Sequence, residues 1–193
     1  MAVIQVKVPN WLDTIFAWPV MVYRLWKYGY AYRRIYLGEG RFTIVEPRDF
    51  YWLNYFHWTL DGKGKNIYAV RNFIPAVGKI RTARMHREIM NFPEGLLVDH
   101  RNLNSLDNRR ANLRLATKAQ NMQNRGKRKN TASRFIGVTL DKSAGKWNVR
   151  IKSDGKKIYL GRFDNEIDAA RAYDEAARKY HKDFARLNFP QES

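Results

Sequence analysis

From residue 135 onward the apolar positions change period once, after residue 163. Three runs, 135–140, 146–152 and 157–163, are rich in β-branched and aromatic residues and read as strands. Ser153-Asp154-Gly155-Lys156 joins the last two, and Asp-Gly is a strong hairpin signal. The middle run alternates strictly. Trp147, Val149 and Ile151 fall on one face; Lys146, Asn148, Arg150 and Lys152 fall on the other. Beyond residue 163 the spacing lengthens to three and four, and Ile167, Ala170, Tyr173, Ala177 and Tyr180 make one helical stripe. Asp164 or Asn165 caps this helix and Asp168 sits in its first turn. The stripe is expected to cover the apolar sheet face, which leaves Lys146, Arg150, Lys152, Lys157, Tyr159 and Arg162 on or near the open one.

The chain before residue 85 reads as short strands and turns. Runs 34–37, 41–45 and 66–70 are β-like, broken by Gly38-Glu39-Gly40 and Gly62-Lys63-Gly64-Lys65. A short helix is expected over 49–56, after Pro47. Of the 27 aromatic residues, 18 lie in this part, which points to core and sheet packing rather than base stacking. The most apolar run, 15–23, falls far short of the ~20 residues that cross a bilayer, and Pro19 interrupts it. It lacks a basic start and a small-residue cleavage site. It is read as a buried or docking segment. Residues 125–134 hold five basic side chains, no acidic one and nothing apolar larger than Ala, so the stretch is a linker suited to a phosphate backbone.

Charge narrows the partner. The 193 residues carry 36 Lys plus Arg against 18 Asp plus Glu, a net +18. The excess is +8 before residue 86, +6 over 86–130 and +4 after it, so no single tail carries it. A polyanion is the expected partner. Cysteine is absent, which removes disulfides, Cys-ligated zinc and thiol nucleophiles.

Candidate chemistry gathers in residues 99–124. Asp99 and His100 are adjacent after an apolar Leu96-Leu97-Val98. A polar loop follows, then a short strand over 112–116, then a helix from the cap Thr117, with Asn121 and Asn124 one turn apart. Phosphodiester hydrolysis needs a divalent cation with oxygen ligands, for which Asp99 and the amide oxygen of Asn121 qualify. It needs a base near neutral pH, and His100 is of the right type. It needs cations on the substrate backbone, and Arg109, Arg110 and Arg114 are candidates. Few protein ligands favour Mg²⁺ or Mn²⁺, one ion per site, over zinc. On residue type alone, turn formation is the better explanation of Asp99-His100 and the asparagines.

Two resemblances decide between the readings. Met85-His86-Arg87, Ile89-Met90, Val98-Asp99-His100, Asn102, Leu106-Asp107-Asn108-Arg109-Arg110, Asn112-Leu113-Arg114, Thr117, Gln120-Asn121 and Asn124 resemble the HNH motif of phage and intron-encoded homing endonucleases. The resemblance implies a ββα-metal fold, with Asp99 and Asn121 on the metal, His100 as general base, and Asn112 holding the strands and the histidine in place. His86 is read as structural or phosphate-contacting. Phe42-Thr43-Ile44-Val45, Trp58 and Tyr68-Ala69-Val70-Arg71 resemble the leader that precedes this motif. Separately, Gly137-Val138, Gly145-Lys146-Trp147, Tyr159-Leu160-Gly161, Phe163, the 168–177 helix and Leu187-Asn188-Phe189 resemble the plant Apetala/ethylene-response-factor-type DNA-binding domain. That family reads the major groove with a three-stranded sheet. Ile136, Thr139, Asp141, Arg150 and Tyr159 depart from its usual residues, so the plant target sequence does not carry over.

The expected architecture is α+β: a β-rich N-terminal leader (1–84), a central HNH ββα-metal nuclease module (85–125), a basic linker (126–133), and a three-stranded antiparallel sheet packed on one helix (134–190). The expected activity is metal-dependent nicking of double-stranded DNA by a cytoplasmic, nucleoid-associated monomer from a mobile element, with no membrane and no small-molecule cofactor; a dimer would be needed for a double-strand cut. The expected DNA contacts are Arg109, Arg110, Arg114, Arg125, Lys127, Arg128, Lys129, Arg134, Lys146, Trp147, Arg150, Lys152, Lys157, Tyr159 and Arg162. The competing reading is a DNA-binding regulator with an inactive nuclease module.

Overall fold

The computed structural model describes residues 10–64, 66–76, 78–124 and 132–190. They form two compact units. The first takes the described residues up to Pro93 together with Asn104–Arg114; the second takes Glu94–Leu103 and the described residues from Leu115 onward. The architecture is α+β. Most of the expected linker, with Arg125, Lys127, Arg128 and Lys129, lies outside the described residues.

The first unit opens with helix α1 (Asn10–Tyr28), where strands and turns were expected. Pro19 is accommodated inside it. The apolar run expected to be buried is largely exposed, Phe16 at 75 % and Trp18 at 63 %. The reason is which side of the helix meets the body. Asp13, Ala17, Met21 and Arg24 recur at helical spacing and are half-covered, as is Leu12 beside them. Polar bonds hold them: Arg33 donates to Asp13 at 2.6 Å and Arg24 to the Tyr32 carbonyl at 2.6 Å. Among the described residues no helix is long and apolar enough to cross a membrane.

Strands β1 (Arg33–Gly38) and β2 (Arg41–Val45) form an antiparallel hairpin whose turn uses positive-φ residues at Glu39 and Gly40. Helix α2 (Pro47–Asn54) follows, with Pro at its start where no N–H is needed. A second sheet has the order β3 (Thr59–Lys63), β4 (Asn66–Phe73), β5 (Arg81–Arg84), antiparallel throughout, and helix α3 (Met85–Ile89) continues from its last strand. Val45, Leu53, Trp58, Met85 and Ile89 are essentially fully buried. Each such side chain contributes roughly 1.5–3 kcal/mol by leaving water. Trp58 satisfies its indole N–H on the Leu53 carbonyl at 2.7 Å.

The loop 104–114 is stitched to this unit along β2. Ile44 exchanges backbone bonds with the loop, its N–H donating to Leu106 O at 2.9 Å and its carbonyl accepting from Asn108 N–H at 2.8 Å. Thr43 donates its hydroxyl to Leu106 O at 2.7 Å and accepts from Asn108 Nδ2 at 2.8 Å. The segment Phe42-Thr43-Ile44-Val45 therefore serves as the rail on which this loop is laid.

The second unit begins with strand β6 (Leu97–His100). Strand β7 (Leu113–Ala116), its hydrogen-bonded partner, starts in the first unit and ends in the second, where helix α4 (Lys118–Gln123) follows it. Strands β8 (Val138–Asp141), β9 (Lys146–Ser153) and β10 (Lys156–Phe163) then form an antiparallel sheet in the order β10-β9-β8. Helix α5 (Glu166–His181) packs on it, with Asn165 as cap accepting from the Ile167 N–H at 2.7 Å. β8 is shorter than the run 135–140 suggested. Ser133, Phe135 and Ile136 instead bond to side chains of Glu166, Ser133 and Asn188.

The buried stripe of α5 is Ala169, Ala170, Tyr173, Ala176 and Ala177, packed on Val138, Val149 and Ile151. Ile167 and Tyr180, expected on that stripe, stay exposed at 37 % and 36 %. Alanines set the contact line, because they let the helix approach the sheet where larger side chains would hold it off. Gly137 completes the fit. A Cβ there would lie 2.0 Å from Cδ2 of Tyr173, and its φ of +78° suits glycine. The tail is clasped to the helix. Buried Asp174 accepts from the Asn188 N–H at 2.8 Å, from Asn188 Nδ2 at 3.0 Å and from the Phe189 N–H at 2.8 Å. Asn188 Oδ1 in turn accepts from the Ile136 N–H at 2.7 Å.

Candidate active site and nucleic-acid interface

Asp99 and His100 end β6, and both are buried, at 6 % and 7 % exposure. The apolar run before them supplies the strand, and alternation along it sends neighbouring side chains to opposite faces. Thr117 caps α4 with a reciprocal capping box: its hydroxyl accepts from the Gln120 N–H while Gln120 Oε1 accepts from the Thr117 N–H. That cap fixes the helix, and with it Asn121, which is half-buried.

Asn124, just beyond α4, is buried at 3 %. Its Nδ2 donates to Asp99 Oδ1 at 3.1 Å, to Asp99 Oδ2 at 3.0 Å and to the His100 carbonyl at 2.9 Å. Sequence reasoning placed Asn124 one turn from Asn121 and gave it no role. The one available signal was the Asn121-x-x-Asn124 spacing at the end of a capped helix. Donation to both carboxylate oxygens fixes the orientation of the group.

The remaining candidate residues of the loop sit in the first unit. Asn112 is buried and donates Nδ2 to the Asp107 carbonyl at 2.8 Å, closing its own loop. Arg109 makes a two-pronged pair with Asp107, Nε at 2.8 Å and Nη2 at 2.6 Å, and its guanidinium lies 3.4 Å from the centre of the Tyr30 ring. Hydrogen bonding to Asp107 raises its pKa above the ordinary arginine value. Arg110 makes the same kind of pair with Asp49, at 2.8 and 2.9 Å, and is shifted upward for the same reason. Arg114 is buried at 8 %. The carboxylates that receive Arg109 and Arg110 were not singled out in the sequence. His86 is buried and its ring stands 5.3 Å from that of Tyr68. His57 is exposed, and His181 donates Nε2–H to the Lys152 carbonyl at 2.9 Å.

The C-terminal sheet presents a different surface. The register aligns Lys157 with Lys152, Tyr159 with Arg150 and Arg162 with Asn148, and a bulge at Leu160 keeps Tyr159 and Arg162 on one side. On this face Lys146, Arg150, Lys152, Lys157, Tyr159 and Arg162 are all exposed. Arg162 is tethered there, donating to Asp141 at 3.2 Å and to Asn148 Oδ1 at 3.3 Å. The Ser143 hydroxyl, then the Ala144 N–H, hold the Asp141 carboxyl below the usual range. Trp147 lies on the opposite face, partly covered by the core. Arg134 is exposed beside Glu166, 3.9 Å away.

Known proteins match both regions. Residues 133–182 match the family model described as AP2 domain, and residues 91–123 the one described as HNH endonuclease. APETALA2-like protein 2 of Oryza sativa subsp. indica is 45 % identical over 58 residues, 30 % of this chain and 13 % of that protein. The AP2-like ethylene-responsive transcription factor TOE2 of Arabidopsis thaliana is 45 % identical over 58 residues, 30 % of this chain and 12 % of its own. The ethylene-responsive transcription factor ERN1 of Medicago truncatula is 33 % identical over 87 residues, 44 % of this chain and 32 % of its own. The chain thus spans between 12 % and 32 % of the length of these relatives.

Proposed function

We propose that this chain is an HNH-type DNA endonuclease that nicks one strand and is brought to its site by the C-terminal sheet. One observation carries the reading. Asp99 and His100 are consecutive and buried in the segment that matches an HNH endonuclease, and Asn124 holds the Asp99 carboxylate by both oxygens. A turn-forming aspartate would not need a buried carboxamide devoted to it.

The donor set fits a hard divalent cation. Asp99 offers a carboxylate and Asn121 an amide oxygen, and a carboxylate has about four lone-pair sites, so the bonds from Asn124 are compatible with ligation. Asp99 and Asn121 would hold such a cation, and ions that keep several waters, Mg²⁺ or Mn²⁺, would suit so small a set of protein ligands. When bound, such a cation supplies charge neutralisation at the scissile phosphate. The protein's own part is then to take a proton from the attacking water at a ring nitrogen of His100 and to keep the Asp99 carboxylate aimed. Asn112 keeps the loop 107–112 closed. The exposed cations of the C-terminal sheet meet DNA phosphates and bases in the major groove, and Arg134 extends that contact. Arg109, Arg110 and Arg114 are cations of the first unit that can meet the DNA backbone, with Arg109 and Arg110 already oriented by Asp107 and Asp49. A mobile genetic element in a bacterial or phage-infected cell is the setting this reading implies.

The test is relaxation of supercoiled plasmid with and without Mg²⁺. Nicking by the intact chain, abolished in His100→Ala with DNA affinity retained, is the expected result. The second reading, a DNA-binding regulator, is favoured by the names of the matched relatives, which are transcription factors. Tight duplex binding with no nicking under Mg²⁺ or Mn²⁺ would select it.

A further inference from the structure

The first unit contains an aromatic crevice that neither the nuclease reading nor the C-terminal sheet uses. It has a volume of about 290 Å³ and is lined by Tyr28, Tyr30, Tyr32, Arg34, Phe42 and Asn104, among others. The three tyrosines form a triangle, their ring centres 5.9 to 6.4 Å apart. Tyr28, Tyr30 and Phe42 remain well exposed, at 46 %, 36 % and 39 %. Aromatic surface of this amount, left open beside a packed core, is a binding feature.

The charges around it select the ligand. Arg109 covers one face of Tyr30 at 3.4 Å, Arg24 stands 4.3 Å from the centre of Tyr32, Lys27 5.4 Å from that of Tyr28, and Arg34 4.1 Å from that of Phe42. The cation positions of this cage are thus already taken by the protein. A second cation, such as a methylated ammonium, would be repelled. Among the described residues no acidic side chain lines the crevice; the nearby Asp107 is held by Arg109 in a two-pronged pair. What suits it is a flat ring carrying negative charge, which is the chemistry of a nucleotide. A base inside a duplex has both faces stacked and cannot offer one. We infer that this crevice holds one unpaired nucleotide of a DNA strand, its base against the tyrosines and its phosphate among Arg24, Lys27 and Arg34. The inference rests on the DNA-binding reading above but not on cleavage.

The experiment measures equilibrium binding of the full chain at fixed salt to two duplexes, identical except that one carries a single unpaired 2-aminopurine. The bulged duplex is expected to bind about tenfold more tightly, the gain from one stacked base, with quenching of the 2-aminopurine fluorescence. Tyr28→Ala should remove that preference and leave the paired-duplex affinity in place, while Tyr28→Phe should keep both. Equal binding of the two duplexes by the intact chain overturns the inference and leaves the DNA reading standing. Equal weakening of both duplexes in Tyr28→Ala, with an unchanged melting temperature, also overturns it, since Tyr28 would then be a general contact. Release of the quench by free deoxyadenosine monophosphate, with no preference for the bulge, reassigns the crevice to a free nucleotide. Failure to bind either duplex sinks the DNA reading itself.

Discussion

Asn124 gives one amide nitrogen to both carboxylate oxygens of Asp99, at 3.1 and 3.0 Å, from a position buried at 3 %. Groups that orient a metal-binding carboxylate act on metal affinity and rate together. Asn124→Ala should lower plasmid nicking by roughly 10- to 100-fold and raise the Mg²⁺ concentration for half-maximal rate. DNA affinity should hold. A rate loss with an unshifted Mg²⁺ requirement would count against the orienting role.

Two cations on the outward face of the C-terminal sheet are paired within the module, Arg162 with Asp141 at 3.2 Å and Lys146 with Asp164 at 3.1 Å. Arg150 stands on the same face without a carboxylate in its register partner Tyr159. Arg150→Ala should weaken DNA binding and lower the slope of log affinity against log salt by about 1. Arg162→Ala should weaken binding more, because it removes a cation and uncovers the Asp141 charge. The double variant Arg162→Ala, Asp141→Ala should recover to about the level of the single Arg150 change. Titrations at several salt concentrations distinguish these outcomes.

Gly137 lies under the ring of Tyr173, where an added Cβ would come within 2.0 Å. The ring is wedged between helix and sheet, and the backbone at +78° is strained for any L side chain. Gly137→Ala should destabilise the C-terminal module by roughly 3 kcal/mol or more, read as a large fall in its denaturation midpoint.

Burial pushes the Tyr173 hydroxyl up from the ordinary 10.0 to about 12. The folded state therefore holds this proton more tightly than the unfolded chain. Its stabilising contribution is complete below about pH 10 and is lost as the pH rises towards 12, by up to roughly 3 kcal/mol. Other tyrosines and lysines also titrate there, so the measurement is a comparison. Tyr173→Phe should show a shallower loss of stability between pH 9 and 11 than the parent chain.

The C-terminal module was legible because its information is local. Strict alternation at 146–152, the Asp-Gly turn and the three-and-four spacing after residue 163 each fix one element, and β9, β10 and α5 follow them closely. The rotation of α5 was not legible, since it depends on which alanines meet Val149 and Gly137. Helix α1 was hidden for a related reason. Its apolar residues form a continuous run instead of a stripe, and its inward positions include charged Asp13 and Arg24, whose partners Arg33 and the Tyr32 carbonyl come from the next element. In the candidate active site the residue types at 99, 100 and 121 could be read from chemistry. The pairing of Arg110 with Asp49 could not, because 61 positions separate them and no spacing rule joins them.

The clasp of Asp174, Asn188 and Ile136 draws the two margins of the C-terminal module to one corner. A unit whose entrance and exit are neighbours can be grafted into foreign chains without stretching the host at either junction. The same kind of module accordingly stands after a segment that matches an HNH endonuclease model here and matches part of much longer stretches of plant proteins.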